Sequence, residues 1–178
     1  MTEGGVSAPP FLIPGLIMDE LAQELVALLK IQSRTATTIE SCTGGLIAGA
    51  ITAISGSSNV FEYGFVTYSN EAKTNMVGVP AGLFPIYGAV SEPVAKAMAE
   101  GGLAKSGAYI ALSVTGIAGP TGGSVEKPVG MVCFGLARQG HETLTRTERF
   151  GNPGRDEVRR LSVEWALDWA ISALKSEA

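Results

Sequence analysis

Helix and strand patterns alternate along most of this chain, which limits the folds open to it. Residues 18–30 place leucines at helical spacing, residues 37–39 are β-branched, and residues 46–54 are apolar at helical spacing again. A second strand is predicted over residues 60–68, and the next helix begins near Ser69. Chains that alternate in this way fold as α/β proteins.

The second half of the chain ends the simple alternation. A helix is predicted over residues 91–105, and the apolar run at 109–114 indicates a central strand covered on both faces. Residues 131–137 and 142–150 are predicted to pair as an antiparallel hairpin, followed by a last helix over 156–174. The predicted fold class is therefore α/β, a three-layer α/β/α sandwich with a mixed central sheet.

Length and composition predict one globular domain. The chain has 178 residues, of which 46% are hydrophobic and 17% charged, enough to bury a substantial core. We expect residues 18–178 to form this single domain and residues 1–17, broken by Pro9, Pro10 and Pro14, to form a loose leader. No run reaches the roughly 18 apolar residues that a membrane helix needs, so no membrane partner and a cytoplasmic location are expected.

The charge and the few metal-binding side chains exclude several kinds of function. A net charge of −4 provides no basic field for a nucleic acid, and no nucleic-acid partner is expected. Cys42 and Cys133 lack metal-ligand spacing, and His141 is the single histidine, so no metal or other cofactor is expected. His141 follows a polar Gln-Gly pair, which favours a solvated turn residue over a member of a Ser-His-Asp triad.

Ser41 occupies the turn between the first strand and the second helix. Such a turn holds a side chain outward beside unpaired N–H groups, where a developing negative charge is stabilised. This position suits a serine nucleophile with an oxyanion hole. The alternative is that Ser41 or Thr43 merely caps the helix.

A serine without a usable histidine needs another base, and Lys73 is the candidate. A lysine whose pKa is lowered by burial can accept a proton, and Lys73 follows a predicted helix N-terminus whose dipole disfavours the ammonium form. Tyr68, at the end of the preceding strand, could pass a proton or bind substrate. The alternatives are a solvated helix lysine and an aromatic residue at the rim of the core.

A long glycine-rich segment and one arginine are candidates for binding phosphate. Residues 115–130 are predicted to form a loop that could wrap a phosphate with backbone N–H groups, yet they match neither a P-loop nor a dinucleotide fingerprint. Arg155 begins the final helix, where a guanidinium could hold a phosphate. A surface loop and an ordinary surface arginine are the alternatives.

Several sequence motifs carry a family resemblance. Glu-Ser-Cys-Thr-Gly-Gly at 40–45, Gly-Phe-Val-Thr-Tyr-Ser-Asn-Glu-Ala-Lys at 64–73 and Gly-Ala-Val-Ser-Glu at 88–92 occur in that order. Thr-Gly-Ile-Ala-Gly-Pro at 115–120 and the glycine-rich 122–130 follow. Together they resemble the C-terminal domain of CinA, the competence/damage-inducible protein family, and the likeness covers residues 18–174.

The resemblance implies a stand-alone nicotinamide-nucleotide amidase, which converts nicotinamide mononucleotide and water to nicotinic acid mononucleotide and ammonia in pyridine nucleotide recycling. It implies a Ser-Lys mechanism without a cofactor, with Ser41 as the nucleophile, Lys73 as the general base and Tyr68 as an assisting residue.

The resemblance also implies the groups around the nucleophile. Backbone N–H groups of Thr43, Gly44 and Gly45 would form the oxyanion hole. The nucleotide would be held by Thr115, Gly116, Ile117, Ala118, Gly119 and Arg155.

Two further expectations concern partners. A non-catalytic module that binds a nucleotide or recruits a partner linked to competence or DNA damage is the alternative function, although Ser41, Tyr68 and Lys73 together favour the enzyme. Apolar residues in an irregular stretch suggest a homo-oligomer, namely Phe84, Ile86 and Tyr87.

Overall fold

The computed structural model describes residues 16–176. The predicted leader lies outside these residues except for Leu16 and Ile17, which begin the first helix. The elements in chain order are α1 (Leu16–Ile31), β1 (Ala36–Glu40), α2 (Leu46–Thr52), β2 (Phe61–Val66), α3 (Asn70–Val77), α4 (Leu83–Tyr87), α5 (Glu92–Ser106), β3 (Ile110–Gly116), β4 (Met131–Arg138), β5 (Leu144–Arg149) and α6 (Arg155–Lys175).

The five strands form one mixed sheet in the order β2-β1-β3-β4-β5. β1 pairs in parallel with β2 and β3, whereas β4 is antiparallel to both β3 and β5. α1, α2 and α6 cover one face of the sheet, and α3, α4 and α5 cover the other. The predicted α/β sandwich with a mixed central sheet is confirmed, as is the antiparallel hairpin.

The two central parallel strands are almost completely buried. Every residue of β1 is buried, and β3 is buried from Ile110 to Thr115. Their register places Glu40 beside Val66 on one side and Val114 on the other. The carboxyl ends of β1, β2 and β3 therefore lie at the same edge of the sheet, where α/β proteins hold their ligands.

The fold differs from the sequence prediction in two places. The stretch predicted to be irregular contains α4, in which Pro85 is the third residue; proline is tolerated there because the first N–H groups of a helix have no partner within it. β3 also continues through Gly116, since Thr115 pairs with Cys133 and Gly116 with Val132. The loop expected over 115–130 is thus shorter and begins at Ile117.

Within residues 16–176, no helix combines the length and the apolar character needed to cross a bilayer.

We predict opposite effects for two Gly→Ala substitutions inside helices. A Cβ at Gly101 of α5 would lie 1.7 Å from the carbonyl oxygen of Val77 in α3, so Gly101→Ala forces the two helices apart and lowers the free energy of unfolding by about 1–3 kcal/mol. A Cβ at Gly49 of α2 meets nothing within 4 Å, so Gly49→Ala raises it by about 0.5–1 kcal/mol. Urea unfolding measures both; equal effects would contradict the close α3–α5 approach.

Candidate active site

Ser41 and Lys73 meet at the carboxyl edge of the sheet. The Lys73 Nζ donates to the Ser41 Oγ at 3.0 Å and to the Thr67 carbonyl oxygen at 2.9 Å. Lys73 is only 1% exposed. Its position is set by α3, whose N-terminus is capped by the Ser69 hydroxyl accepting from the Ala72 N–H at 3.0 Å. The structure thus joins two side chains that are 32 residues apart in sequence.

Burial gives Lys73 the properties of a base. Removing the ammonium group from water disfavours its charged form, so burial lowers the pKa of Lys73 below its ordinary value. A thiolate at Cys42 would oppose this shift, but burial raises the pKa of the Cys42 thiol to about 12, which keeps the thiol neutral. The sequence analysis named burial and the helix dipole as causes of a lowered lysine pKa; in the structure, desolvation by burial is the largest cause.

The turn that carries Ser41 is held by a buried carboxylate. Glu40, 0% exposed, accepts from the N–H groups of Gly45 and Ile47 at 3.0 Å each and from the N–H of Ala48 at 2.8 Å. These are donors at the start of α2 that have no partner within the helix. Glu40 therefore caps α2, so the alternative role of Ser41 as its cap does not apply. Thr43, with no cap bond from its side chain, does not cap α2 either.

Two of the three N–H groups expected to form the oxyanion hole already have acceptors in the structure. The Gly44 N–H donates to the Ser41 carbonyl oxygen at 3.1 Å, and the Gly45 N–H is taken by Glu40. Within residues 16–176, the N–H groups of Cys42 and Thr43 have no oxygen acceptor and lie beside the Cys42 sulfur. Among the described residues, the donors of this turn without an oxygen acceptor are thus those of Cys42 and Thr43, whereas Gly44 and Gly45 are already engaged.

An arginine from α6 binds the other side of this turn. The Arg159 Nε donates to the Cys42 carbonyl oxygen at 3.2 Å, and a terminal guanidinium nitrogen of Arg159 donates to the Thr43 carbonyl oxygen at 3.2 Å. Its remaining contact is a 3.9 Å approach to Asp156 on the same helix. The turn therefore lies between a carboxylate that binds its N–H groups and a guanidinium that binds its carbonyls.

A cleft of about 210 Å³ opens above the Ser41–Lys73 pair. Besides these two residues it is lined by Cys42, Tyr68, Asn70, Ala89, Val90, Thr115, Gly116, Ala118 and Arg155. Another cleft, of about 230 Å³, lies at the opposite end of the strands beside Thr35 and Ser106. The two clefts are of similar volume, but no buried titratable side chain lines the second, so the cleft at Ser41 is the one equipped for catalysis.

Arg155 connects Tyr68, which lines the cleft, to Gly119, which does not line it. One of its terminal nitrogens donates to the Tyr68 Oη at 3.1 Å, and the other donates to the Gly119 carbonyl oxygen at 2.9 Å. Tyr68 is 63% exposed. Among the described residues Arg155 has no carboxylate partner. Its positive charge at the cleft is therefore not neutralised by a negatively charged side chain.

The predicted nucleotide-binding segment enters the cleft in part. Thr115, Gly116 and Ala118 line it, and the Thr115 hydroxyl donates to the Ala89 carbonyl oxygen at 2.9 Å. Ile117 and Gly119 are not among its lining residues: the Ile117 N–H donates to Met131, and the Gly119 carbonyl is taken by Arg155.

Sequence reasoning missed several residues of the site. Glu40 and Arg159 were not assigned a role, although a glutamate at the end of a buried strand and an arginine one helical turn after Arg155 were available signals. Asn70, Ala89 and Val90 were also missed as lining residues.

His141 does not belong to this site. It is exposed in the β4–β5 turn, as predicted, and does not line the cleft. In the part of the chain that the structure describes, no group of three or more His, Cys, Asp or Glu side chains could hold a metal ion.

Comparisons with known proteins agree with the motifs. The family model described as the CinA C-terminal domain matches residues 18–174. The chain is 51% identical over 148 residues to an Escherichia coli protein named nicotinamide-nucleotide amidohydrolase PncC, covering 83% of this chain and 89% of that protein. Its structure is similar to that of the competence/damage inducible protein CihA from Agrobacterium tumefaciens, with a TM-score of 0.88, 46% identity and coverage of 93% and 99% of the two chains.

Other relatives are much longer than this chain. A CinA-like protein from Akkermansia muciniphila is 51% identical over 158 residues, which are 88% of this chain but 38% of that protein. The chain thus spans little more than a third of that relative. The match to the family model covers most of the chain, and the resemblance stated from the motifs is confirmed: the chain belongs to the CinA C-terminal domain family.

Proposed function

We propose that this protein hydrolyses the carboxamide of nicotinamide mononucleotide, giving nicotinic acid mononucleotide and ammonia. The observation that carries the proposal is the buried Lys73 Nζ at 3.0 Å from the Ser41 Oγ beside an open cleft. A relative named nicotinamide-nucleotide amidohydrolase, 51% identical and covered over 89% of its length, supports the choice of substrate. The proposed setting is pyridine nucleotide recycling in the cytoplasm.

In the first half-reaction Ser41 replaces ammonia on the acyl carbon. Neutral Lys73 accepts the hydroxyl proton while the Ser41 Oγ forms a bond to the carboxamide carbon. The N–H groups of Cys42 and Thr43, which have no oxygen acceptor among the described residues, would stabilise the resulting oxyanion. The carbon–nitrogen bond then breaks, and the leaving nitrogen takes the proton from the Lys73 ammonium and departs as ammonia. Tyr68, whose Oη accepts from Arg155, keeps its own proton available to assist.

Water completes the reaction in the second half. Lys73, neutral again, removes a proton from water as the water oxygen adds to the acyl carbon. The ester bond to Ser41 breaks, and the Ser41 oxygen regains a proton from Lys73. The product is the pyridine carboxylic acid, which gives its remaining proton to solvent and leaves as the carboxylate, and the hydroxyl–amine pair of Ser41 and Lys73 is restored.

Arg155 is proposed to bind the substrate phosphate. Its guanidinium is held by a phenol and a carbonyl, both neutral, and a phosphate is a much stronger partner because it offers charge-assisted bidentate hydrogen bonds. The backbone of Thr115, Gly116 and Ala118 would contact the remainder of the nucleotide, with Ile117 and Gly119 shaping that wall.

The predicted homo-oligomer remains a proposal that the surface supports only in part. Ile86 is 71% and Tyr87 47% exposed, whereas Phe84 packs against the core beneath α5. The exposed apolar surface of α4 is thus provided by its last two residues, Ile86 and Tyr87.

We expect the parent protein to release ammonia from nicotinamide mononucleotide, and Ser41→Ala and Lys73→Ala to lower kcat by roughly 10⁴-fold or more, because the nucleophile and its base act as a unit. Ammonia release, followed by a coupled assay, measures this. Lys96→Ala is the matched control: Lys96 is an exposed lysine that faces Glu100 on α5, and its loss leaves kcat unchanged.

Two outcomes would contradict the proposed chemistry. Ammonia release that survives in folded Ser41→Ala would show that Ser41 is not the nucleophile. A well-folded parent that binds the nucleotide saturably without releasing ammonia would favour the non-catalytic binding module.

Substitution of Arg155 tests the proposed phosphate contact. We expect Arg155→Ala to raise KM for the mononucleotide roughly 10- to 100-fold and to change kcat much less, because the phosphate is remote from the reacting carbon. For nicotinamide riboside, which lacks the phosphate, the variant and the parent should have similar kcat/KM. Arg160→Ala, which removes a neighbouring arginine bound to Glu157 and Glu164, is the control. A KM effect of equal size on the riboside would contradict the phosphate assignment.

A further inference from the structure

The segment 41–45 is bound from two sides by side chains of opposite charge. Glu40 binds the N–H of Gly45 and two further N–H groups of α2, at 2.8–3.0 Å. Arg159 binds the carbonyl oxygens of Cys42 and Thr43, both at 3.2 Å. We call Glu40 and Arg159 the clamp. Neither residue lines the cleft, so neither is in a position to touch substrate.

Burying the Glu40 carboxylate destabilises the fold unless its hydrogen bonds to the backbone are kept. A carboxylate at 0% exposure has lost its hydration, and only charge-assisted hydrogen bonds offset that loss. Three backbone donors at 2.8–3.0 Å supply them. The backbone of Glu40 also accepts from the Thr67 N–H at 2.8 Å, and the Thr67 carbonyl accepts from the Lys73 Nζ. Glu40 is thus connected to the nucleophile through the chain and to the base through Thr67.

Arg159 determines the direction of a peptide group that the reaction uses. In a planar trans peptide the C=O and the N–H point in opposite directions. Because Arg159 binds the Cys42 carbonyl, the Thr43 N–H of the same peptide points away from the guanidinium. This N–H lies beside the Cys42 sulfur and has no oxygen acceptor among the described residues. The Thr43 carbonyl is bound by the same guanidinium, so the next peptide is fixed as well.

We infer that Glu40 and Arg159 are positioning residues for the nucleophile. The carboxylate withdraws the N–H groups of Gly45, Ile47 and Ala48 from the site, and the guanidinium orients the Thr43 N–H as an oxyanion donor. Together they keep the Ser41 Oγ in line with Lys73. The inference deepens the proposed amidase mechanism and rests on it, but its test includes a reaction of Ser41 that needs no nucleotide.

The experiment compares Glu40→Gln, Arg159→Ala and Arg159→Lys with the parent. Arg160→Ala is the matched control, because Arg160 binds Glu157 and Glu164 and not the segment 41–45. The first readout is kcat and KM for nicotinamide mononucleotide. The second is the rate at which phenylmethanesulfonyl fluoride modifies Ser41, measured by intact-protein mass, with Ser41→Ala as the blank. In that reaction the Ser41 oxygen bonds to sulfur, the sulfur–fluorine bond breaks, and fluoride and a proton are released.

We expect Glu40→Gln and Arg159→Ala to lower kcat and the modification rate roughly 10- to 100-fold, since small misplacements of reacting groups have effects of this size. KM should change by no more than about three-fold, because neither side chain touches substrate. Arg159→Lys should recover part of the loss, as an ammonium can bind one carbonyl but not both. Arg160→Ala should react like the parent.

Each other outcome has a defined meaning. Folded variants that keep the parental kcat and modification rate, even with a lower melting temperature, would reduce the clamp to a stabilising role and overturn the inference. If Glu40→Gln fails to fold, Arg159→Ala decides. If the parent is modified at Ser41 and the variants are not, but no protein hydrolyses the nucleotide, the clamp stands and the proposed substrate fails. A folded parent inert in both assays would overturn the inference, because no activated nucleophile would exist to be positioned.

Discussion

The hydrogen bond between the Lys73 Nζ and the Ser41 Oγ joins the two side chains on which the proposed chemistry depends. Lys73 can act as a base in this pair only if water is excluded from it. In water a lysine keeps its proton and can only donate to a hydroxyl, whereas a buried lysine loses the hydration that favours its charge. Here Lys73 is 1% exposed and has a hydroxyl and a carbonyl as its partners. Within the described residues no carboxylate approaches it closely enough to form an ion pair, so the neutral amine is favoured.

The fold supplies that burial through the parallel half of its sheet. β1 delivers Ser41, β2 leads into the helix that carries Lys73, and β3 leads into Thr115 and Gly116 on the opposite wall. α3 can lie close to α5 because Gly101 has no side chain facing Val77. α6 crosses from the other face and contributes Arg155 to the cleft and Arg159 to the nucleophile turn. Ser41, Lys73 and Arg155 thus reach the cleft from three separate parts of the fold.

Much of this arrangement could be predicted from the sequence, because it follows from local patterns. β-branched residues before Ser41 and two glycines after it predict a strand and a turn, and capping by Ser69 predicts the start of the helix that bears Lys73. Recognition of the family motifs then linked the two residues. The helix α4 was not predicted; its Pro85 is a residue that usually interrupts a helix, although here it stands in the first turn.

What the sequence could not predict is long-range geometry. The distance between Ser41 and Lys73 depends on how two helices pack across the sheet, and no local pattern contains it. The capping of α2 by Glu40 was missed for the same reason: a glutamate is expected to be exposed, and only the buried register of β1 shows that its carboxylate must find backbone donors. The Glu40 carboxylate also binds the Gly45 N–H, which was expected to be part of the oxyanion hole.

The protonation state of Lys73 is the most direct test of the account, and it can be measured without any substrate. The chain contains six lysines, so a protein labelled with ¹³C at lysine Cε gives few signals, and the Lys73 signal is assigned by its absence in Lys73→Met. We predict that the Lys73 signal titrates below the ordinary lysine pKa of about 10.4, because burial disfavours the ammonium form. A Lys73 signal that titrates at that ordinary value, or above it, would contradict the central role of a neutral lysine beside Ser41.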